Sequence, residues 1–355
     1  RPLNEAKMIL VGRGGAGKTS IVNRLVNARF DHAEPKTEGI AIVRWSMKPR
    51  DEDAIRLNIW DFGGQEIMHA THQFFLTKRS IYILVLNARE GEQDSNVEYW
   101  LRMIESFGGD SPVIVVMNKI KDHAFDLNRR GLRAKFASIQ DFVQTDCEAN
   151  EGIDRLRAVI ASETAKLPHL RDPVPISWFA VKDQLTNSKQ NFVSYEQYQR
   201  LCVVKNVTEE SSQSTLVGFL HDLGTVVNFR DHPRLRDTHV LNPHWVTNGI
   251  YKVLNASSLI ERKTGEVQIK ELSNLLPLEE YPPDKHQFLL DLMEKFELCY
   301  QSYDGQGLYL IPELLTKEEP AITSIFDAPD LLQFEYHYNI LPEGLLPRFI
   351  VRCRA

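Results

Sequence analysis

The chain has 355 residues, 43% of them hydrophobic and 25% charged, a balance that suits a folded protein with cores for roughly two domains. Its net charge of −6 leaves no broad basic surface to carry nucleic-acid affinity, and no apolar run approaches the ~20 residues of a membrane-spanning helix. Cys147, Cys202, Cys299 and Cys353 stand far apart, without metal or redox spacing, which points to a reducing, cytoplasmic setting.

In chain order, the opening "RPLNEAKMIL" lacks the pattern of a signal peptide. From Lys7 to about Leu167, short apolar runs alternate with amphipathic segments. "KMILVG", "IRLNIWD", "IYILVLN" and "VIVVMNK" read as strands of a largely buried sheet; "KTSIVNRLVNA", "VEYWLRMIESFG" and "GIDRLRAVIASETAKL" read as helices. This alternation predicts a doubly wound α/β domain over residues 1–170, with ligands at the carboxyl ends of its strands. The proline-bearing "LPHLRDPVP" marks the boundary, and residues 171–355 read as mainly helical. Ser194 and Gln197 form an expected capping box ahead of "YEQYQRLCVV", and Gly224 ends the helix "TLVGFLHDLG". Later, "KHQFLLDLMEKFELCYQSYDGQGLYLIPELL" reads as a helix, a strand, a turn at Asp304 to Gly307 and a returning strand, the outline of a winged helix. The ending "LLPRFIVRCRA" is apolar enough to suggest a piece of something longer.

"GRGGAGKTS", Gly12 to Ser20, follows a predicted strand and opens a predicted helix, the context of a phosphate loop. Backbone amides of Gly14, Gly15, Ala16 and Gly17 can converge on phosphate oxygens at a helix N-terminus, with Ser20 following. Lys18 would reach the β- and γ-phosphates, and the Thr19 hydroxyl would ligate Mg²⁺. In "NIWDFGGQE", Asp61 ends a strand and would hold the Mg²⁺ shell, the Gly64 amide would sense a γ-phosphate, and Gln65 follows. This order marks the Ras-like class of phosphate-loop proteins. Between the two motifs, Thr37 in "DHAEPKTEGIAIVRW" is the candidate switch threonine, a third Mg²⁺ ligand.

"DFGGQEIMHATHQFFLTKRSIYILVLNAREGEQDSNVEYWLRMIESFGGDSPVIVVMNK" resembles the Ras-of-complex-proteins (Roc) domain of the Roco family. That family includes bacterial proteins with leucine-rich repeats and the leucine-rich-repeat kinases of animals, and the expectation is a bacterial member related to those kinases. "VLNPHWVTNGIYKVLN" and "PEGLLPRFIVR" resemble the COR (C-terminal of Roc) domain that follows it. The resemblance implies a Ras-like GTPase domain joined to a COR domain that couples nucleotide state to homodimerisation. GTP would be the substrate, GDP and phosphate the products, with Gln65 orienting the attacking water. An added arginine accelerates such sites by on the order of 10³–10⁵; Arg79 and Arg89 are the candidates, and Arg89 acting across a dimer is the favoured one. Trp245 and Tyr251 would face the GTPase domain and relay its state.

The resemblance also implies that Asn118 contacts guanine N7 and that Lys119 packs along the base. The acid of the family's pattern, however, is replaced by Lys121, which cannot accept a hydrogen bond, and Asp122 comes one residue late. Three readings stay open: Asp122 shifts into place, selectivity is weakened, or an acid is missing from the sequence. "TDCEANEGI" takes the place of the turn whose backbone reads guanine O6, here Asp146-Cys147-Glu148. Two further functions compete with the GTPase switch. A STAND-type ATPase also joins a nucleotide domain to a winged helix, and a nucleotide-gated scaffold would bind without hydrolysis. DNA binding by Arg230, His232, Arg234, Arg236 and His239 is disfavoured, since Asp231 and Asp237 interrupt the cluster.

Overall fold

A computed structural model describes residues 2–35, 37, 39–48, 54–63, 75–90, 96–121, 127–229, 232–302, 307–318, 335, 337 and 344–353. They divide into two compact units, Arg1–Asn248 and Gly249–Ala355. The first is built on a six-stranded sheet of β1 (Glu5–Val11), β2 (Ile40–Met47), β3 (Ile55–Phe62), β4 (Ser80–Asn87), β5 (Val113–Asn118) and β6 (Ile139–Thr145). Its order is β2-β3-β1-β4-β5-β6, antiparallel between β2 and β3 and parallel elsewhere. The helices α1 (Lys18–Asn27), α2 (Val97–Gly108) and α3 (Arg129–Lys135) lie between these strands, and α4 (Ile153–Ala165) follows the last of them.

The central strands β1, β4 and β5 are covered on both faces, so they are almost continuously apolar and buried. Sequence reading found those strands and β3 but not β2 or β6. Both unread strands are sheet edges that alternate buried and exposed residues, and that weaker period is shared with surface loops. One core cluster joins Met8, Leu10, Ile21, Leu25, Ile83, Val116, Ile153 and Leu156.

The proline-bearing boundary stretch forms a 3-10 turn, Pro168–Arg171, whose Leu170 carbonyl accepts from Asn4 N–H at 3.0 Å. Beyond it come α5 (Ile176–Thr186), β7 (Phe192–Ser194), α6 (Tyr195–Val204), α7 (Glu210–Asp222) and β8 (Thr238–Val240). They close around Val181, Leu185, Tyr198, Cys202, Leu216 and Leu220. The expected capping box is present: Ser194 Oγ accepts from Gln197 N–H at 3.1 Å, and Gln197 Oε1 accepts from Ser194 N–H at 2.9 Å. Gly224, at φ +70°, stands just past α7 as expected, and a Cβ there would lie 2.7 Å from the Trp60 ring.

This helical part is fastened to the sheet by polar groups. Lys182 of α5 gives its ammonium to Glu5 at 2.9 Å, and Arg56 reaches the same carboxylate at 3.1 Å. Asn58 Nδ2 donates to Leu223 O at 3.4 Å, and Arg79 meets Asp222 at 4.0 Å. Lys7 is buried over the Trp60 ring, 3.8 Å from its centroid, donating to Phe75 O at 2.7 Å. Burial brings the Lys7 ammonium down to about 7, against the pull of Asp222.

Next in the chain is α8 (Pro243–Leu254). Trp245, expected to face the nucleotide domain, is buried, with the Phe192 ring centroid 5.2 Å from its own. Thr247 of this helix meets that domain: a Cβ built on Gly39 would lie 2.6 Å from its Oγ1. Sequence periodicity finds the apolar stripe of α8 but not which member of it meets another surface. Tyr251 belongs to the second unit.

The second unit contains α9 (Ser257–Arg262), β9 (Thr264–Gln268), α10 (Leu272–Leu275), α11 (His286–Lys295), β10 (Tyr300–Gln301), β11 (Leu308–Leu315) and α12 (Leu345–Arg352). The helix followed by an antiparallel β10–β11 hairpin is the expected winged-helix outline, and β9 pairs with β11 as an unanticipated third strand. Of the expected turn at Asp304 to Gly307, only Gly307 is among the described residues.

Candidate functional site

At the carboxyl ends of β1, β3 and β5 opens a cleft of about 700 Å³, lined by Gly14, Gly15, Gly17, Lys18, Thr19, Ser20, Thr37, Arg89, Asn118 and Lys119 among others. Residues from four separate predicted motifs are thus brought together. The loop between β1 and α1 turns through left-handed backbone at Gly15 (φ +77°) and Gly17 (φ +90°), and a Cβ at Gly17 would stand 2.4 Å from Asn118 Nδ2. Gly17 caps α1 without a side-chain hydrogen bond, and no acid lies in the first turn. The helix start therefore keeps the partial positive charge and amide donors that suit an anion.

Lys18 folds back over this loop, donating to Gly12 O at 2.7 Å and Arg13 O at 3.0 Å. Burial lowers its ammonium to about 8, with Asp61 opposing the shift. Ala16 is buried beneath the loop, and its carbonyl accepts from Asn118 Nδ2 at 3.0 Å.

Three oxygen ligands predicted from separate segments converge beside Lys18. Thr19 Oγ1 donates to Asp61 Oδ2 at 2.6 Å and lies 2.8 Å from Thr37 Oγ1, which is itself 3.4 Å from Asp61 Oδ2. Asp61 is buried, which raises its pKa, and its Oδ1 has no hydrogen-bond partner among the described residues. An orphaned carboxylate oxygen beside two hydroxyls fits a hard dication, which prefers oxygen ligands. The segment that carries Thr37 is tied to the end of β3 where Gly63 N–H donates to Gly39 O at 2.8 Å. Gly64 and Gln65 lie outside the described residues.

The far end of the cleft is built on the end of β5. Asn118 is buried, and its Oδ1 accepts from Thr145 Oγ1 at 3.2 Å while its Nδ2 holds the phosphate loop. Lys119, at φ +65°, reaches Gly15 O at 2.6 Å; burial first, then the nearby Arg89 charge, lowers its pKa. The expected Asn-Lys pair therefore ties the end of β5 to the loop between β1 and α1. Asp122 lies outside the described residues. Arg89 is exposed on the cleft lining, whereas Arg79 belongs to the contact with Asp222 and is not part of that lining.

Two contributors were not singled out from sequence. Phe30 lines the cleft, edge-on to His32 at 4.9 Å. Arg24 on α1 donates to Cys147 O at 2.7 Å and Glu148 O at 3.2 Å, fixing the turn after β6. An aromatic a few residues beyond the first helix was a usable signal for Phe30; nothing in the local sequence signals a contact between Arg24 and a turn 123 residues away.

Both parts of the chain are similar to known proteins. The family described as "Ras of Complex, Roc, domain of DAPkinase" matches residues 7–121, and "C-terminal of Roc, COR-A domain" matches residues 175–315. A solved structure of Methanosarcina barkeri Roco2 RocCORdC, bound to GDP, is 46% identical, with a TM-score of 0.81 over 89% of this chain and 97% of that one. The probable serine/threonine-protein kinase pats1 of Dictyostelium discoideum is 29% identical over 98% of this chain, and a Roc-COR-CHAT protease of Runella zeae is 30% identical over 99%. This chain spans only 12% and 39% of those two relatives. With both domains matched in order and a 46% identical relative covered almost end to end, the chain belongs to the Roco family.

Proposed function

We propose that this chain is a GTP-binding and GTP-hydrolysing switch, with a Roc domain over residues 1–170 and a COR domain over 171–355. The observation that carries the proposal is the convergence of Thr19, Thr37 and Asp61 beside buried Lys18, in one cleft with Asn118 and Lys119. GDP in the related Roco2 structure supports a guanine nucleotide as the ligand. Thr19, Thr37 and Asp61 would hold Mg²⁺, which supplies charge neutralisation at the β- and γ-phosphates.

The Lys18 ammonium, which donates to two loop carbonyls, would donate to the phosphate oxygens instead. The uncapped start of α1 holds the phosphate chain in place. Thr37 would sense the terminal phosphate, and the Gly39 contact with Thr247 offers a route from that segment into the COR domain. Gln65 is the proposed positioner of the attacking water. Arg89, exposed at the cleft, is the proposed accelerating arginine, presented to its own nucleotide or across a homodimer.

The test is GTP binding and single-turnover hydrolysis by the wild type, Lys18→Ala and Arg89→Ala. Lys18→Ala should lose nucleotide binding, and Arg89→Ala should keep binding while slowing turnover. Turnover per molecule that rises with protein concentration supports the dimer. Binding without phosphate release at any concentration refutes hydrolysis, and equal displacement of GDP by ATP refutes guanine selectivity.

A further inference from the structure

We propose that Asp146 is the acid that reads guanine in this chain, an inference that rests on the guanine-nucleotide reading above. The position where the four-residue guanine pattern places its acid is Lys121, whose side chain is exposed and carries donors only. Its backbone does something informative: Lys121 N–H donates to Asp146 Oδ2 at 3.3 Å. An acid is thus held beside that position, supplied from the other strand end.

Asp146 follows β6 directly and is 5% exposed, yet it lines the cleft next to Asn118 and Cys147. Its backbone is locked by two hydrogen bonds with Glu151, each 3.0 Å, and Arg24 secures the next two carbonyls. Its second carboxylate oxygen accepts from Ala149 N–H at 2.9 Å. Each oxygen therefore carries one backbone donor and retains acceptor capacity, and among the described residues no cation forms an ion pair with it. A buried, oriented carboxylate with spare acceptor capacity on both oxygens is complementary to two adjacent donors. Guanine presents such a pair, N1–H and the 2-amino group. Adenine presents an acceptor at N1, and xanthine a carbonyl at C2. Capping Lys121 and Ala149 alone uses one acceptor per oxygen and leaves the rest of the carboxylate's acceptor capacity unused.

The experiment is equilibrium binding of GDP, XDP and IDP, with Mg²⁺, to the wild type, Asp146→Asn and Asp122→Asn. We expect the wild type to prefer GDP over both others. In Asp146→Asn, GDP should weaken by on the order of 10²-fold while XDP tightens, because the amide now donates where xanthine accepts. A gain of XDP affinity cannot arise from misfolding, so the outcome is readable even if the variant is less stable. An unchanged GDP-to-XDP ratio in Asp146→Asn overturns the assignment. So does a switch confined to Asp122→Asn, which would place the acid at that residue. If the wild type binds none of the three, the guanine-nucleotide reading itself has failed.

Discussion

Replacing Glu5 by glutamine should destabilise the first compact unit more than replacing its partner Lys182 by methionine. The Lys182 ammonium is 2.9 Å from the Glu5 carboxylate, and its side chain is only 4% exposed. Glu5 has a second cation, Arg56 at 3.1 Å, whose side chain is 53% exposed. Removing the carboxylate leaves a buried ammonium with no other partner among the described residues, at a cost of about 3–5 kcal/mol. Removing Lys182 leaves Glu5 still paired with Arg56, so the cost should fall to about 1–2 kcal/mol. For a unit of this size the glutamine variant should melt roughly 6–12 °C lower at the smaller cost of about 3 kcal/mol. Thermal melts followed by circular dichroism provide the measurement, with nucleotide binding well below the transition as a control for the cleft. The double replacement Glu5→Met with Lys182→Met should recover much of the loss, since an apolar pair can substitute for a buried ion pair. Equal losses in the two single variants, or a double variant worse than either, would show that the pair is not what fastens α5 to the sheet.

Gly39→Ala should weaken triphosphate binding and lower stability by about 1–2 kcal/mol from left-handed strain alone, because φ is +66° and the added methyl meets Thr247 Oγ1. Thr247→Ala in the same chain should restore part of the affinity, and no rescue would separate Thr247 from that segment. His221 accepts from Asn228 N–H at 3.3 Å, and burial, aided by Lys7, lowers its pKa to about 4. The unfolded chain therefore binds the extra proton first, so stability present above about pH 6.5 should be lost as pH falls towards 4, by up to about 3 kcal/mol. Asp222, raised by burial, acts in the opposite sense. Comparison of pH-dependent melts with His221→Gln isolates the histidine, and an identical slope in both proteins refutes its role.

The nucleotide domain was legible in the chain because its information is local. A phosphate loop needs glycines, lysine and threonine within a few residues, and doubly covered strands are apolar along their whole length. Thr19, Thr37 and Asp61 could be named in advance for that reason, as could the helices and the capping box at Ser194. Edge strands β2 and β6 escaped because exposure on one side dilutes the apolar run.

What only tertiary structure decided is pairing between distant segments. Nothing near Arg79 in sequence says that it meets Asp222 rather than a phosphate, and nothing near Trp245 says that Phe192 covers it. The guanine end shows the same division. Sequence alone established that Lys121 stands where an acid belongs, whereas the fold brings Asp146, 25 residues on, to that backbone. Side-chain chemistry is written residue by residue, but which oxygen faces which donor depends on how the strand ends converge.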